Sequence, residues 1–246
     1  MPLIYLSPST QENNMYVTGG SEEYYMNLIA DAMEPYLRSS GIQYTRNDRN
    51  MNASAAIAQS NRGNYDLHLA LHSNAAPEGQ YGEYRGVDVY YSPRSISGRR
   101  AANIFVRNLK SIYPLPDRVR AVTTTTIGEV SQTRAPAVFL ELGYHDNRND
   151  ALWVENNIDA IARNLVLSLT QYFGIPFVEP IPIRRGTVNV SSGTLNLRSR
   201  PDTRSRVIAS MPNGAELTVV GQWQGWYVVN YRGLVGYAAA QFVKIN

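Results

Sequence analysis

Residues 66–76 read DLHLALHSNAA, a short apolar run that carries His68 and His72, two of the three histidines in the chain. Leu67 to Leu71 look like a strand buried on both faces, as in a parallel sheet. His68 and His72 then share a strand face, about 13 Å apart at about 3.3 Å per residue. That is too far for both to reach one small cation whose bonds to nitrogen or oxygen are about 2 Å. His68 is therefore expected to be a buried histidine bonded to a neighbour. His72 closes the apolar run, and the Ser-Asn-Ala that follows leaves the strand at its carboxyl end, where a parallel sheet carries its site.

Outward from this strand, apolar runs alternate with amphipathic segments from Leu3 to Phe173. Leu3 to Leu6 is strand-like. Ser21 can cap a helix over 22–39, in which Tyr25, Leu28, Ile29, Ala32 and Tyr36 recur at helical spacing and Gly41 follows as the terminating glycine. IQYTR (42–46) reads as strand, ASAAIAQSNR (53–62) as a short helix, GVDVYYS (86–92) as strand and 97–112 as helix. A polar threonine-rich stretch follows, then the central strand of PAVFLELGY (136–144) and a helix over 156–173. The alternation predicts an α/β domain with a mostly parallel, mixed sheet covered by helices on both faces. GIPFVEPIPIRRG (174–186) reads as a semi-rigid proline-rich linker. Beyond it come short β-type runs broken by Gly, Pro, Asn and Asp, the pattern of a small all-β barrel. The expected division is 1–174, a linker at 175–185, and 186–246.

The chain has 246 residues with 43% hydrophobic content, enough for real cores. It has no cysteine, which excludes disulfides, thiolate metal sites and thiol nucleophiles, so any metal must be held by His, carboxylate or amide oxygen. The net charge of +3 comes from scattered arginines, not a run. A mildly basic surface suits a polyanion, but no basic stripe with interleaved aromatics points to nucleic acid. No apolar run approaches the roughly 18 residues that span a bilayer, and MPLIYL lacks the order of a secretory leader.

Two resemblances organise these observations. The segment GTLNLRSRPDTRSRVIASMPNGAELTVVGQWQGWYVVNYRGLVGYAAAQFV (193–243) resembles bacterial SH3-type domains, which implies binding of cell-wall peptide or glycan. Trp223 and Tyr231 are the candidate wall-binding aromatics of that domain, whereas Trp226 and Tyr237 are expected in its core. Residues 3–173 resemble the zinc-dependent N-acetylmuramoyl-L-alanine amidases of the amidase-3 type. The resemblance rests on LHSNAA, EEYYMN and APAVFLELGY. It implies His72 and Glu23 as zinc ligands and Glu141 as the catalytic carboxylate. Asn74, beside His72, is a candidate for orienting substrate or is simply the turn after the strand. One position departs from the family, whose first strand runs into Asp-Pro-Gly-His with a second imidazole ligand. Here the chain reads LSPSTQENN (6–14), and the histidine position falls on Thr10, or on Gln11 with a one-residue shift. Gln11 or His145 is expected to complete the site; the other reading is that metal is bound weakly or not at all.

The resemblance thus implies a peptidoglycan hydrolase that uses metal-activated water to cut the amide between N-acetylmuramic acid and L-alanine, with zinc as cofactor and peptidoglycan as partner. The alternative is an amidase-fold protein that only binds wall. Action is expected at the bacterial cell wall. Without a visible leader, the chain would stay cytoplasmic until lysis or a holin-type pore released it, as for an endolysin or autolysin, or it would have lost its leader. Sequence leaves the wall chemotype, the host and the oligomeric state open.

Overall fold

The strand around His68 and His72 is the third of a six-stranded sheet in a computed structural model that describes residues 1–246. In chain order the first 173 residues form β1 (Leu3–Pro8), α1 (Glu22–Ser39), β2 (Gln43–Arg46), α2 (Ala53–Arg62), β3 (Leu67–Asn74), β4 (Val87–Tyr91), α3 (Ile96–Leu109), β5 (Val119–Thr123), α4 (Gly128–Ser131), β6 (Ala137–Tyr144), α5 (Arg148–Asn156) and α6 (Ile158–Phe173). The sheet order is β2-β1-β3-β6-β4-β5. β3 is parallel to β1 and to β6, β4 is antiparallel to β6, and β5 is parallel to β4. The sheet is therefore mixed, as expected.

Its register builds the site. His72 pairs with Glu141 across β3 and β6, and Glu141 pairs with Asp88 across β6 and β4. Cross-strand partners share a face, so a polar row of three side chains runs across the carboxyl end of the central strand. Gly143, at φ +82°, sits where the β3–β6 register shifts, just before Tyr144 pairs with Asn74. A side chain there would meet the buried Asp150 at 3.2 Å. Asp150 accepts from Arg85, Tyr113 and the Gly86 amide and so fixes the loop after β6.

The threonine-rich stretch is more ordered than its composition suggests. It contributes β5 at the sheet edge and the single turn α4, whose Val130 packs on Ala70 and Phe139.

Residues from 184 on form β7 (Arg184–Val188), β8 (Thr194–Arg198), β9 (Val207–Pro212), β10 (Glu216–Trp223), β11 (Trp226–Tyr231), β12 (Leu234–Ala239) and β13 (Val243–Ile245). Their order is β13-β7-β10-β11-β12-β8-β9, all antiparallel, and no pairing joins the two end strands. These strands pack around a core of Val188, Leu197, Met211, Val219, Val229 and their neighbours, with a second cluster at Val220, Val228 and Tyr237. Gln224 and Gly225, both at positive φ, make the two-residue turn between Trp223 and Trp226. Tyr237 is fully buried as expected, but Tyr231 also lies in the core and offers no stacking face, while Trp223 and Trp226 are half-buried.

The chain forms two compact units, Leu3–Met33 with Tyr44–Tyr172, and Met1–Pro2 with Glu34–Gln43 and Phe173–Asn246. The last turn of α1 and the loop to β2 thus belong with the C-terminal sheet. Within that unit, the stretch expected as a linker is packed: Val178 is buried, its carbonyl accepts from Ser39 Oγ at 2.5 Å, and its amide donates to Ser40 Oγ at 3.0 Å. Gly41, at φ +76°, ends the helix where a side chain would collide with Met1 and Val228. No helix is long and apolar enough to cross a membrane.

Candidate active site

His72 is the hub. Its Nδ1 lies 2.7 Å from Glu22 Oε1 and its Nε2 lies 3.1 Å from Glu129 Oε2, while its ring stacks on Phe139 at 4.1 Å. Burial alone would lower its pKa, but the bonds to Glu129 and Glu22 outweigh this and push it up to about 10. In the absence of a metal His72 is therefore an imidazolium that donates to both carboxylates. Burial opposes ionisation of Glu22 and Glu129, but the bond from His72 holds Glu22, and those from His68 and then His72 hold Glu129, below the usual carboxylate range.

The carboxylate on His72 is Glu22, not Glu23. In α1, Glu22 stands in phase with Met26, Ile29, Ala30 and Met33, all fully buried, whereas Glu23 is turned by one residue's rotation. Glu23 accepts from Asn27 at 3.1 Å and faces Arg49 at 3.6 Å. The glutamate that meets His72 is therefore one position earlier than the expected Glu23. Ser21 caps the helix through its hydroxyl to the Tyr24 amide at 3.1 Å, which places Glu22 in the first turn, where a negative charge suits the helix dipole.

Gln11 reaches the same point. Its Nε2 lies 3.3 Å from both Glu22 Oε1 and His72 Nδ1. The amide is held in that sense by Asn14, whose Nδ2 donates to Gln11 Oε1 at 3.0 Å and to Glu22 Oε2 at 2.7 Å. His145 does not join them. It is buried with Nδ1 beside Ser73 Oγ at 3.1 Å, and its ring lies near Tyr16. Asn74 uses its side chain to accept from the next amide, Ala75 N, at 2.9 Å, as a turn residue does.

Glu141 stands between His72 and Asp88, and its Oε2 is sealed from solvent with no hydrogen-bond partner. Burial, reinforced by Glu22 and Asp88 and opposed by His72, raises its pKa to about 8. Asp88 is itself gripped by Arg120 in a two-pronged pair, both bonds at 3.0 Å. His68 is buried as expected, but it is tied to Ser60 at 2.9 Å and to Glu129 at 3.1 Å. The two strand histidines thus share a carboxylate instead of an ion. Glu129 was not visible as a site residue in the sequence, because a single acidic residue in a four-residue helix has no periodicity to betray it. Glu22 did carry a signal, its phase with the apolar stripe of α1.

Beside these groups opens a cleft of about 670 Å³, lined by Ser9, Gln11, Asn47, Arg49, His72 and Phe139 among others.

The protein is thus an α/β chain with a carboxylate and imidazole cluster at the carboxyl end of the central strands of a mixed sheet. Residues 9–171, about two-thirds of it, match the family model described as N-acetylmuramoyl-L-alanine amidase, and the chain belongs to that family. Residues 193–244 match the bacterial SH3 domain model. The fold is similar to that of an N-acetylmuramoyl-L-alanine amidase from Clostridium difficile 630, at 16% identity and TM-score 0.62, over 70% of this chain and 97% of that one. It is likewise similar to the amidase AmiC2 of Nostoc punctiforme, at 15% identity and TM-score 0.61, over 70% of this chain and 97% of that one. The catalytic domain of the CD27L endolysin targeting Clostridia difficile is 19% identical with TM-score 0.57, over 70% of this chain and 98% of that one. No curated protein matches the chain.

Proposed function

We propose that the protein hydrolyses the amide between N-acetylmuramic acid and L-alanine in peptidoglycan, with the SH3-type segment holding it to the wall. The observation that carries this reading is Glu141, a half-buried residue whose carboxylate Oε2 is sealed from solvent and orphaned, beside His72 and Glu22.

No three His, Asp or Glu side chains converge as a ready ligand cluster. The donor set at His72 nevertheless fits a divalent cation. Glu22 Oε1, His72 Nδ1 and the Gln11 amide stand 2.7, 3.3 and 3.3 Å apart, the size of the edges between donors around one small cation. Glu22 and Glu129, both held below the usual carboxylate range, flank His72 from its two nitrogens, a buried setting that suits a positive ion. Gln11 contributes only if its amide turns end for end, since an NH₂ group has no lone pair to give. Glu22, His72 and Gln11 would hold zinc, which when bound supplies Lewis-acid activation of water and of the scissile carbonyl.

The remaining work falls to the chain's own residues. Glu141 takes the proton of the attacking water and returns it to the departing amine of L-alanine, the exchange of roles that general acid–base catalysis requires. The orphaned Oε2 leaves it free to do so. Phe139 and Glu129 hold the plane and pitch of His72, and the exposed Asn50 and Asn52 on the wall of the cleft face sugar and peptide groups. The test is a soluble muramoyl-L-alanyl peptide: amine should appear with the zinc-loaded protein, disappear with chelator and return on zinc addition. No amine under zinc saturation would favour the wall-binding alternative.

A further inference from the structure

We propose that Glu129, locked by Ser7 and His68, is the positioning residue that aims His72 at the cation corner; this rests on the reading of His72 as a ligand given above.

Glu129 is buried on α4 and receives three side chains from two other strands. Ser7 Oγ from β1 donates to Oε1 at 2.5 Å, His68 Nε2 from β3 donates to the same oxygen at 3.1 Å, and His72 Nε2 donates to Oε2 at 3.1 Å. The two donors on Oε1 leave the carboxylate no rotational freedom, so Oε2 has one direction, toward His72. The rest of the frame is equally fixed. His68 is fully buried, stacks on Tyr5 at 5.1 Å and is pinned at its other nitrogen by Ser60. Gly128 lets α4 approach α2 closely, since a side chain there would stand 3.2 Å from Ile57. With Nε2 committed to Glu129 and the ring face committed to Phe139, the only free direction for Nδ1 is toward Glu22 and Gln11.

Fold stability does not account for this cluster. Buried ionic groups are often no more stabilising than apolar residues of the same volume, and four polar side chains are packed here where Val, Leu and Phe would suffice. Orientation does account for it. A histidine ligand whose second nitrogen is bonded to a carboxylate is held in one tautomer and one orientation, and loss of that partner typically costs about 10–100-fold in metal affinity.

The experiment is zinc affinity by chelator competition on the full chain, together with the ¹⁵N signals of the His72 ring in metal-free protein. Glu129→Gln, nearly isosteric, should bind zinc about tenfold more weakly, and Glu129→Ala about 100-fold. Both should move the His72 Nε2 signal. His68→Leu should weaken zinc several-fold, whereas His68→Gln, whose amide can still donate to Oε1, should restore affinity to near the parent; a purely structural role would not show that recovery. Zinc affinity within twofold of the parent in both Glu129 variants, with unmoved ring signals, overturns the inference while leaving the amidase reading intact. If the parent binds no zinc the amidase reading fails, and the ring signals alone decide this one: moved by Glu129→Gln they uphold it, unmoved they overturn it.

Discussion

Replacing Glu141 by Gln should make the metal-free protein more stable, even though it removes the proposed base. Burial raises the Glu141 carboxyl from its ordinary 4.5 to about 8. Between those values the unfolded chain gives up the proton and the folded chain keeps it, so folding loses stability as pH rises. Below 4.5 both states are protonated and no penalty exists; above about 8 both are ionised and the penalty is complete. At about 1.4 kcal/mol for each tenfold change in proton affinity, the full difference is an upper limit near 5 kcal/mol, and relaxation of the site brings the expected value to about 2–5 kcal/mol. Glu141→Gln carries no charge and escapes this term. Thermal unfolding in chelator from pH 4 to 9 should show the two proteins alike at pH 4 and the variant ahead at pH 8 to 9, by roughly 4–20 °C at about 2–4 °C per kcal/mol. Parallel stability curves across that range would refute the claim that Glu141 is a buried carboxyl without a partner.

Other outcomes follow from the same geometry. Glu22→Ala should weaken zinc binding by an order of magnitude or more, while Glu23→Ala should leave it near the parent, since Glu23 is bonded to Asn27 and Arg49 instead; chelator competition on the pair checks which glutamate serves. Gln11→His should tighten zinc and Gln11→Ala loosen it, whereas His145→Ala should do little because its ring is committed to Ser73. Zinc must displace the proton of an imidazolium whose pKa lies near 10, so affinity should rise about tenfold per pH unit from 7 to 9. Calorimetry in two buffers of different ionisation enthalpy should register that proton.

The alternation of apolar runs and amphipathic segments was enough for the α/β architecture, because each element has its own period and its own end signals. Helix 22–39, strand 67–74 and strand 137–144 each carry an uninterrupted pattern. The six-stranded order and the antiparallel β4 were not legible, since pairing depends on contacts far apart in sequence. β5 and α4 were hidden for a simpler reason: Thr, Gly and Pro around them imitate a loop. His72 and Glu141 stand out because a polar residue at the end of an apolar strand is costly unless it has work to do. Glu22 against Glu23 is decided by a single residue's rotation of a helix, and only the burial of Met26, Ile29 and Met33 shows which side faces in. Proline content made 175–185 look like a semi-rigid linker, yet Ile175 and Val178 are buried, because an extended proline-rich segment can bury apolar side chains as well as span distance.

Mass analysis of the products released from purified cell walls tests the central claim most directly, with zinc-saturated parent and Glu141→Gln run side by side. The parent should release free peptides that begin with an L-alanine amine and leave glycan strands whose muramic acid keeps its carboxyl. Glu141→Gln should release them at least about 100-fold more slowly, the scale of removing a general base. Peptides released at equal rates by both proteins, or cleavage at any other bond, would contradict it.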